Sequence, residues 1–427
     1  MKLNAISKGR VYRYRKQPKP YAYSLNNKNE LPPKPKLPHN IQFLASVKDL
    51  FSKKHYRRDD DGYFYVPECF SLMDNYEESF DFLKKLFVVL YKGKVEKVIL
   101  DYEKCSRIDV DASICMDVLL VEYDRYLKAC WSKGHNVFPR KIAPINLRRQ
   151  DIINLLYSIG AYRNVAGLTI PNPKGVEPLP VLINYKHSPD VWRISEVHAT
   201  NIVEYIKKCL SRLGEELTIQ AETEFYKVIG EVMSNAEEHA TMPHRFAIGY
   251  FQEDDNENDD HYGILNFSIF NFGNTIYQTF KDPQCPNKKV VERMSKLSES
   301  YTKKGWLKKA DFEEETLWTL YALQDGVTSK AKKRGNGSIQ FIKNFFKLKG
   351  NSENDNVSKL VLHSGNTRIL FDGSYKIVDN KNITFNISGD IAEQPDKKCV
   401  TFTPYFFPGT IISARILIKS KNLAEKQ

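Results

Sequence analysis

The stretch EFYKVIGEVMSNAEEHA, residues 224–240, governs how the chain is read. Phe225, Val228, Ile229, Val232, Met233 and Ala236 recur at helical spacing, which predicts an amphipathic helix with one apolar stripe. Glu231 and Asn235 stand four residues apart, so their side chains meet on one face at the border of that stripe. Glu238 and His239 close the segment. Polar groups at the edge of a core cost free energy unless something satisfies them. A capped, partly exposed helix accounts for these residues without any function. A ligand or metal site accounts for them with one.

Composition narrows the field. The 427 residues are 41% hydrophobic and 12% aromatic, enough for two or three domains with their own cores. The seven cysteines are scattered and form no CxxC pair, which reads as reduced cytosolic thiols, with neither a disulfide framework nor a zinc site. No apolar run approaches the length of a membrane span, and the basic N-terminus lacks the apolar core of a signal peptide. The expectation is a soluble, cytoplasmic protein away from membranes. The net charge of +12 is local: residues 1–58 carry fifteen Lys or Arg against Glu30 and Asp49, leaving 49 basic and 50 acidic residues elsewhere. An arm over 1–60 that contains KGRVYRYRK and PPKPKLP is expected to be extended. It suits nucleic-acid phosphates, an acidic protein partner or plain solvation alike.

Beyond the arm, YEESFDFLKKLFVVLYKG (76–93) predicts a helix stopped by Gly93, and VILDY (98–102) a buried strand. RIDVDASICMDVLLVEYDRYLKAC (107–130) predicts a long helix, HNVFPRKI (135–142) a strand, and the segment opened by Pro144 a helix that Gly160 stops. The alternation of strand and helix implies a small α/β layer domain over 61–165. Its VILDYEKCSRIDVDASICMDVLL resembles a STAS domain, the fold of anti-anti-sigma factors and of sulfate-transporter tails. That resemblance places Ser113, in the turn Asp111-Ala112-Ser113-Ile114, at the family's phosphoacceptor position, although the glycine that usually follows is absent. The plainer reading, and the favoured one, is that Asp111 and Ser113 cap the helix. A Pro- and Gly-rich stretch over 166–197 reads as a linker.

Four features then recur in chain order. They are the helix with Glu231 and Asn235; the strand GILNFSIFNFGNTI (263–276) running into a turn at Asn271-Phe272-Gly273-Asn274; the basic glycine turn KRGNGSIQFI (333–342) opening a helix; and FFPGTIISARILI (406–418), where Gly409-Thr410 leads into a final β-run. A carboxylate beside an amide can orient a water and hold a magnesium ion through oxygen. A glycine turn lets backbone approach a flat base. Gly335 and Gly337 before a helix, with Lys333 and Arg334, suit a phosphate. Each feature alone is more often just a turn; together, in this order, they are specific.

The set resembles the gyrase–chaperone–histidine-kinase–mismatch-repair ATPase superfamily with its Bergerat nucleotide-binding fold, nearest the anti-sigma serine-kinase branch. EVMSNAEEHA looks like the superfamily's N box. The resemblance implies that Asn235 holds Mg2+, that Glu231 is the general base, and that His239 matches a histidine of that branch. NFGNTI looks like the first glycine box and RGNGSIQFI the second, with a lid over about 277–334. FPGT looks like the Gly-Thr that closes the site. The usual Asp-x-Gly-x-Gly is altered: Asn271 stands where Asp accepts the adenine amino hydrogen, and Thr275 stands at the second glycine. An Asn carbonyl still accepts that hydrogen, and it also leaves room for another base. The fold expected is thus α/β (α+β): a basic arm, a STAS-like domain and a Bergerat-type α/β sandwich over 198–420.

Two acidic and turn-rich runs carry plainer expectations. EDDNENDD (253–260) reads as a solvated hairpin loop, and SGNTRILFDG (364–373) as a hairpin extending the ATPase sheet. Three functions follow: an ATP-binding regulator that acts as a serine kinase or ATPase in partner switching, with Ser113 as acceptor and a protein partner on the STAS-like surface; a non-catalytic nucleotide switch; and nucleic-acid binding through residues 1–58.

Overall fold

The computed structural model describes residues 32–47, 62–160, 162–163, 173–239, 241–255, 261–302, 311–329, 337–348, 355–375, 377 and 382–419. The chain divides into two compact units, Met1–Pro171 and Asn172–Gln427, and both are mixed α/β.

The first helix among the described residues of this unit is α1 (His39–Ser46), which buries Asn40, Ile41 and Leu44. This corrects the expectation of an extended arm over 1–60 for its described part, because Ile41 and Leu44 supply an apolar face to bury. The remainder of the arm, residues 1–31 and 48–60, lies outside the described residues. A three-stranded parallel sheet has the order β1 (Tyr63–Tyr65), β3 (Lys97–Asp101), β5 (Lys141–Ile145). A second parallel pair joins β2 (Cys69–Phe70) to β4 (Arg107–Ile108). The helix α2 (Tyr76–Lys92) buries Phe80, Leu83, Leu86, Phe87 and Leu90, which recur every three to four residues, and packs against α3 (Val110–Ser132). Helix α4 (Gln150–Ser158) follows β5. The strand expected over 135–142 instead begins at Lys141, and Pro144, expected to open a helix, lies within β5 opposite Leu100.

In the second unit a five-stranded antiparallel sheet has the order β6 (Val176–Tyr185), β7 (His244–Asp255), β8 (His261–Phe272), β10 (Val400–Lys419), β9 (Lys359–Phe371). Helices α5 (Val191–Arg212), α6 (Ile219–His239) and α10 (Gly337–Leu348) lie side by side, with α6 central and in contact with β7 and β8. Ile202, Ile206, Phe225, Ile229, Met233 and Phe345 bury their side chains in the core beneath them, where the rings of Phe225 and Phe345 meet at 6.2 Å. Burying side chains of this kind contributes about 1.5–3 kcal/mol each. Three further helices, α7 (Ile276–Lys281), α8 (Lys288–Thr302) and α9 (Glu314–Ala322), fall within the span expected to be a lid; 303–310 and 330–334 of that span lie outside the described residues.

Two expectations change here. The linker read over 166–197 contains strand β6, which pairs with β7 through eight register partners from Val176 to Tyr185, and the first turns of α5. The hairpin expected over 364–373 is mostly one strand, since Ser364–Phe371 belong to β9 and pair with β10 across an irregular register. That segment does extend the sheet. The acidic run ends β7 at Asp255, and 256–260 lie outside the described residues.

Candidate functional site

One rung crosses the whole sheet of the second unit. Asn184 on β6 is paired with Arg245 on β7, Arg245 with Asn271 on β8, Asn271 with Thr410 on β10, and Thr410 with Ser364 on β9. Residues opposite one another in an antiparallel pair point to the same face. All five are polar, and Asn184, Arg245, Asn271 and Ser364 are buried. A polar row through a sheet interior is costly unless its groups are satisfied, by each other or by something bound.

At the Asn271–Thr410 end lies a cavity of about 140 Å³. Helix α6 contributes Val232 and Asn235, β8 contributes Ile269 and Asn271, and β10 contributes Thr410 and Ile412. Asn274, Phe280, Leu323 and Ser329 complete much of the wall. Among the described residues no charged side chain lines it. A cavity of this order, roughly 150 Å³, takes a benzene-sized ring.

Three residues nominated by sequence, Asn235, Asn271 and Thr410, therefore meet at one cavity. Asn235 is half-buried, and among the described residues neither its amide nor the side-chain oxygen Oδ1 of Asn271 has a hydrogen-bond partner. The Asn271 amide nitrogen donates to the Phe272 carbonyl at a long 3.4 Å. Glu231 is exposed, one turn before Asn235, and is not part of the cavity wall. The glycines act through the backbone. Gly273 has φ +128°, and a Cβ there would lie 2.6 Å from Thr241 Oγ1; Gly409 has φ +146°, and a Cβ there would lie 2.1 Å from the Asn271 carbonyl oxygen. Both positions need glycine for conformation and for close approach.

Thr275 serves a different purpose from the one its place in the glycine box implied. It is fully buried and caps α7 in a reciprocal arrangement, its hydroxyl accepting from the Gln278 N–H at 3.1 Å while the Gln278 side chain accepts from its own N–H at 3.0 Å. Lys333, Arg334 and Gly335 lie outside the described residues, Gly337 is the first residue of α10, and His239 is the last of α6. The described chain reaches the cavity at Ser329 and resumes at Gly337.

Sequence reasoning passed over the other end of the rung. The Arg245 Nε–H donates to Glu237 Oε1 at 2.8 Å, with both side chains buried, and the Asn184 amide and Ser195 hydroxyl each donate to the same oxygen at 2.7 Å. Arg245 Nη2 faces His198 Nδ1 at 3.1 Å, so that nitrogen accepts and the imidazole is neutral. Burial and the neighbouring guanidinium hold the His198 pKa down at about 4. The signal was present: Glu237 stands four residues after Met233, on the buried side of the helix.

In the first unit, Ser113 is fully buried and its hydroxyl donates to Asp117 Oδ2 at 3.4 Å. Asp109 occupies the N-cap position of α3, and Asp111 Oδ1 accepts from the Leu72 and Ala112 N–H groups. Asp111 thus ties the helix start to the chain after β2 instead of capping it in the expected manner.

Comparison with known proteins adds no assignment: no protein-family model matches the chain, and no curated protein or solved structure matches it. Among the described residues no helix is long and apolar enough to cross a membrane. No group of three or more His, Cys, Asp or Glu among them is placed to hold a metal ion.

Proposed function

We propose that the second unit is a Bergerat-type ATP-binding module and that the protein is a nucleotide-gated regulator, with the STAS-like first unit as the surface for a protein partner. The observation that carries this is the meeting of Asn235, Asn271 and Thr410, from three distant chain segments, around a base-sized cavity. The antiparallel sheet with α5, α6 and α10 layered on it supports the same reading.

A magnesium ion fits as part of the ligand. Mg2+ keeps several waters and is held by one or two protein oxygens together with nucleotide phosphates. The half-buried Asn235 amide, without a partner among the described residues, supplies one such oxygen. Bound Mg2+ would neutralise phosphate charge. In this reading Glu231, exposed one turn before Asn235, would take a proton from water.

The burial of Ser113 favours the switch over the kinase. Its hydroxyl meets no solvent in the folded unit, so phosphorylation there requires the start of α3 to open. Nucleic-acid binding through residues 1–58 remains a separate proposal that rests on composition, and its mark is a steep salt dependence lost with the arm.

Thermal melting with Mg-ATP and Mg-ADP, beside an Asn235→Ala variant, tests the module. A nucleotide at about 100 times its dissociation constant adds roughly 2.7 kcal/mol, a shift of several degrees. A magnesium-dependent shift lost in the variant supports the reading. No shift with either nucleotide sinks it.

A further inference from the structure

In the first unit, residues 32–44 run back along α3. The Pro32 carbonyl accepts from His135 Nε2 at 2.7 Å, just beyond the C-terminal end of that helix. Lys34 Nζ stands 5.8 Å from the centre of the Tyr126 ring, and one turn earlier in α3 Glu122 meets Asn40. Ile41 and Leu44 are then buried. At the Asn40–Glu122 contact this strap carries a polar side chain into the interior. Asn40 is 1% exposed, and its amide nitrogen donates to Glu122 Oε1 at 2.6 Å.

Each partner holds a second buried oxygen, Asn40 Oδ1 and Glu122 Oε2, and neither has a hydrogen-bond partner among the described residues. Buried acceptors in that state cost free energy. A protonated carboxyl has one O–H to donate and keeps an acceptor oxygen, which complements the N–H and C=O of an amide. A proton on Glu122 Oε2 therefore supplies the hydrogen that Asn40 Oδ1 lacks, and satisfies both oxygens at once. The carboxylate keeps only the single bond from Asn40 and leaves a charge in the interior.

The neighbouring groups do not supply that hydrogen. On α3, Arg125 acts on Glu122 only by favouring the carboxylate, and the Tyr123 hydroxyl donates to the Pro139 carbonyl. On α2, the Tyr91 hydroxyl donates to the Leu119 carbonyl at 3.1 Å. On the strap, Lys34 stands over Tyr126, and His39 is exposed. His135 can donate Nε2–H to Pro32 as neutral ring or as cation, so that bond needs no charge.

We propose that Asn40 and Glu122 form a proton-operated latch: the neutral acid and the amide close a two-bond pair that fastens residues 32–47 to α3, and loss of the proton releases that segment while the rest of the unit stays folded. Burial outweighs Arg125 and the bond from Asn40 and pushes the Glu122 pKa from 4.5 up to about 7. The docked strap thus binds the proton more tightly than the released one. Docking is firmest below about pH 4.5 and weakens as pH rises through about 7.

Amide hydrogen exchange of the full chain from pH 5.5 to 8.5, expressed as protection over the intrinsic rate, is the test. The reporters are the N–H groups of Gln42 and Val47, which donate to the Pro38 and Phe43 carbonyls, beside those of α2 and β3. In wild type, α1 protection should fall by about tenfold or more across that range while α2 and β3 hold theirs. Glu122→Gln, whose amide carries the hydrogen at every pH, should keep α1 protected throughout. Asn40→Leu, which fills the site without the pair, should lower α1 protection already at pH 5.5. It also decides the matter if Glu122→Gln fails to melt cooperatively. A flat wild-type profile, a fall shared by α2 and β3, a fall that survives in Glu122→Gln, or wild-type protection in Asn40→Leu at pH 5.5 overturns the latch.

Discussion

Arg245 and Asn271 stand directly opposite each other in the pairing of β7 with β8, so the buried Glu237–Arg245 ion pair flanks the strand position that forms the cavity wall. The two ends of the rung differ in chemistry. One end carries a buried ion pair, beside which Arg245 Nη1 and Asn184 Oδ1 have no partner among the described residues; the other end lines the cavity with neutral groups.

Breaking the ion pair from one side strands a buried charge. Glu237→Gln should lower stability by about 3–5 kcal/mol, whereas the double replacement of Glu237 and Arg245 by Met should cost less than either single change. Denaturant melts of Glu237→Met, Arg245→Met and the double variant measure the coupling. Additive costs would show that the two charges do not depend on each other.

Gly409 lies on β10 opposite Phe272 of β8, next to the cavity residue Thr410. Gly409→Ala forces a Cβ to 2.1 Å from the Asn271 carbonyl oxygen at φ +146°, so backbone has to move. Strained backbone costs about 1–3 kcal/mol, and the displacement carries Thr410 with it. The variant should melt earlier than wild type and, on the nucleotide-binding proposal, bind Mg-ATP more weakly. Unchanged melting would contradict the close approach.

Glu122 in α3 predicts a pH dependence for the first unit. Burial raises its pKa from 4.5 to about 7, against the opposing effects of the hydrogen bond from Asn40 at 2.6 Å and of Arg125. The folded state therefore binds the proton more tightly than the unfolded one. Stability contributed by this residue is highest below about pH 4.5 and falls as pH rises toward 7, by on the order of 3 kcal/mol in full. Glu122→Gln, which keeps an acceptor for Asn40, should remove that slope in melts taken from pH 5 to 8. A wild-type slope that survives in the variant would assign it to another group.

Ser113 sits against Asp117 with no exposure. Ser113→Ala loses one long hydrogen bond and should cost about 1 kcal/mol or less. Ser113→Asp, often used to mimic phosphate, buries a second carboxylate beside Asp117 and should cost about 3 kcal/mol or more. A Ser113→Asp protein as stable as wild type would show that the site opens readily, and would restore the phosphoacceptor reading.

Several elements could be read directly from the chain. Helices α2, α3 and α6 were visible because an apolar stripe at helical spacing needs no knowledge of its partner, and β3 and β8 because a run of β-branched and aromatic residues is buried wherever it pairs. Strand β6 was read as a linker and the end of β5 as a helix entry, both on account of proline: Pro178 and Pro180 in one, Pro144 in the other. In both cases the strand lies at the edge of its sheet, where one side of the backbone has no ladder to lose and proline is tolerated. Being at an edge is a property of the assembled sheet, invisible to local sequence.

The candidate site divides along the same line. The residue types at Asn235, Asn271 and Thr410 marked them in the sequence, since amides and hydroxyls beside apolar runs ask for a reason. Their convergence on one cavity, the exclusion of Thr275 from it, and the burial of Ser113 were settled by packing. Most of all, the rung from Asn184 to Ser364 exists only through strand register, because a shift of one residue would turn each of its side chains to the opposite face. The sequence determined which residues had polar groups to satisfy; the tertiary structure decided which satisfy one another and which line the cavity.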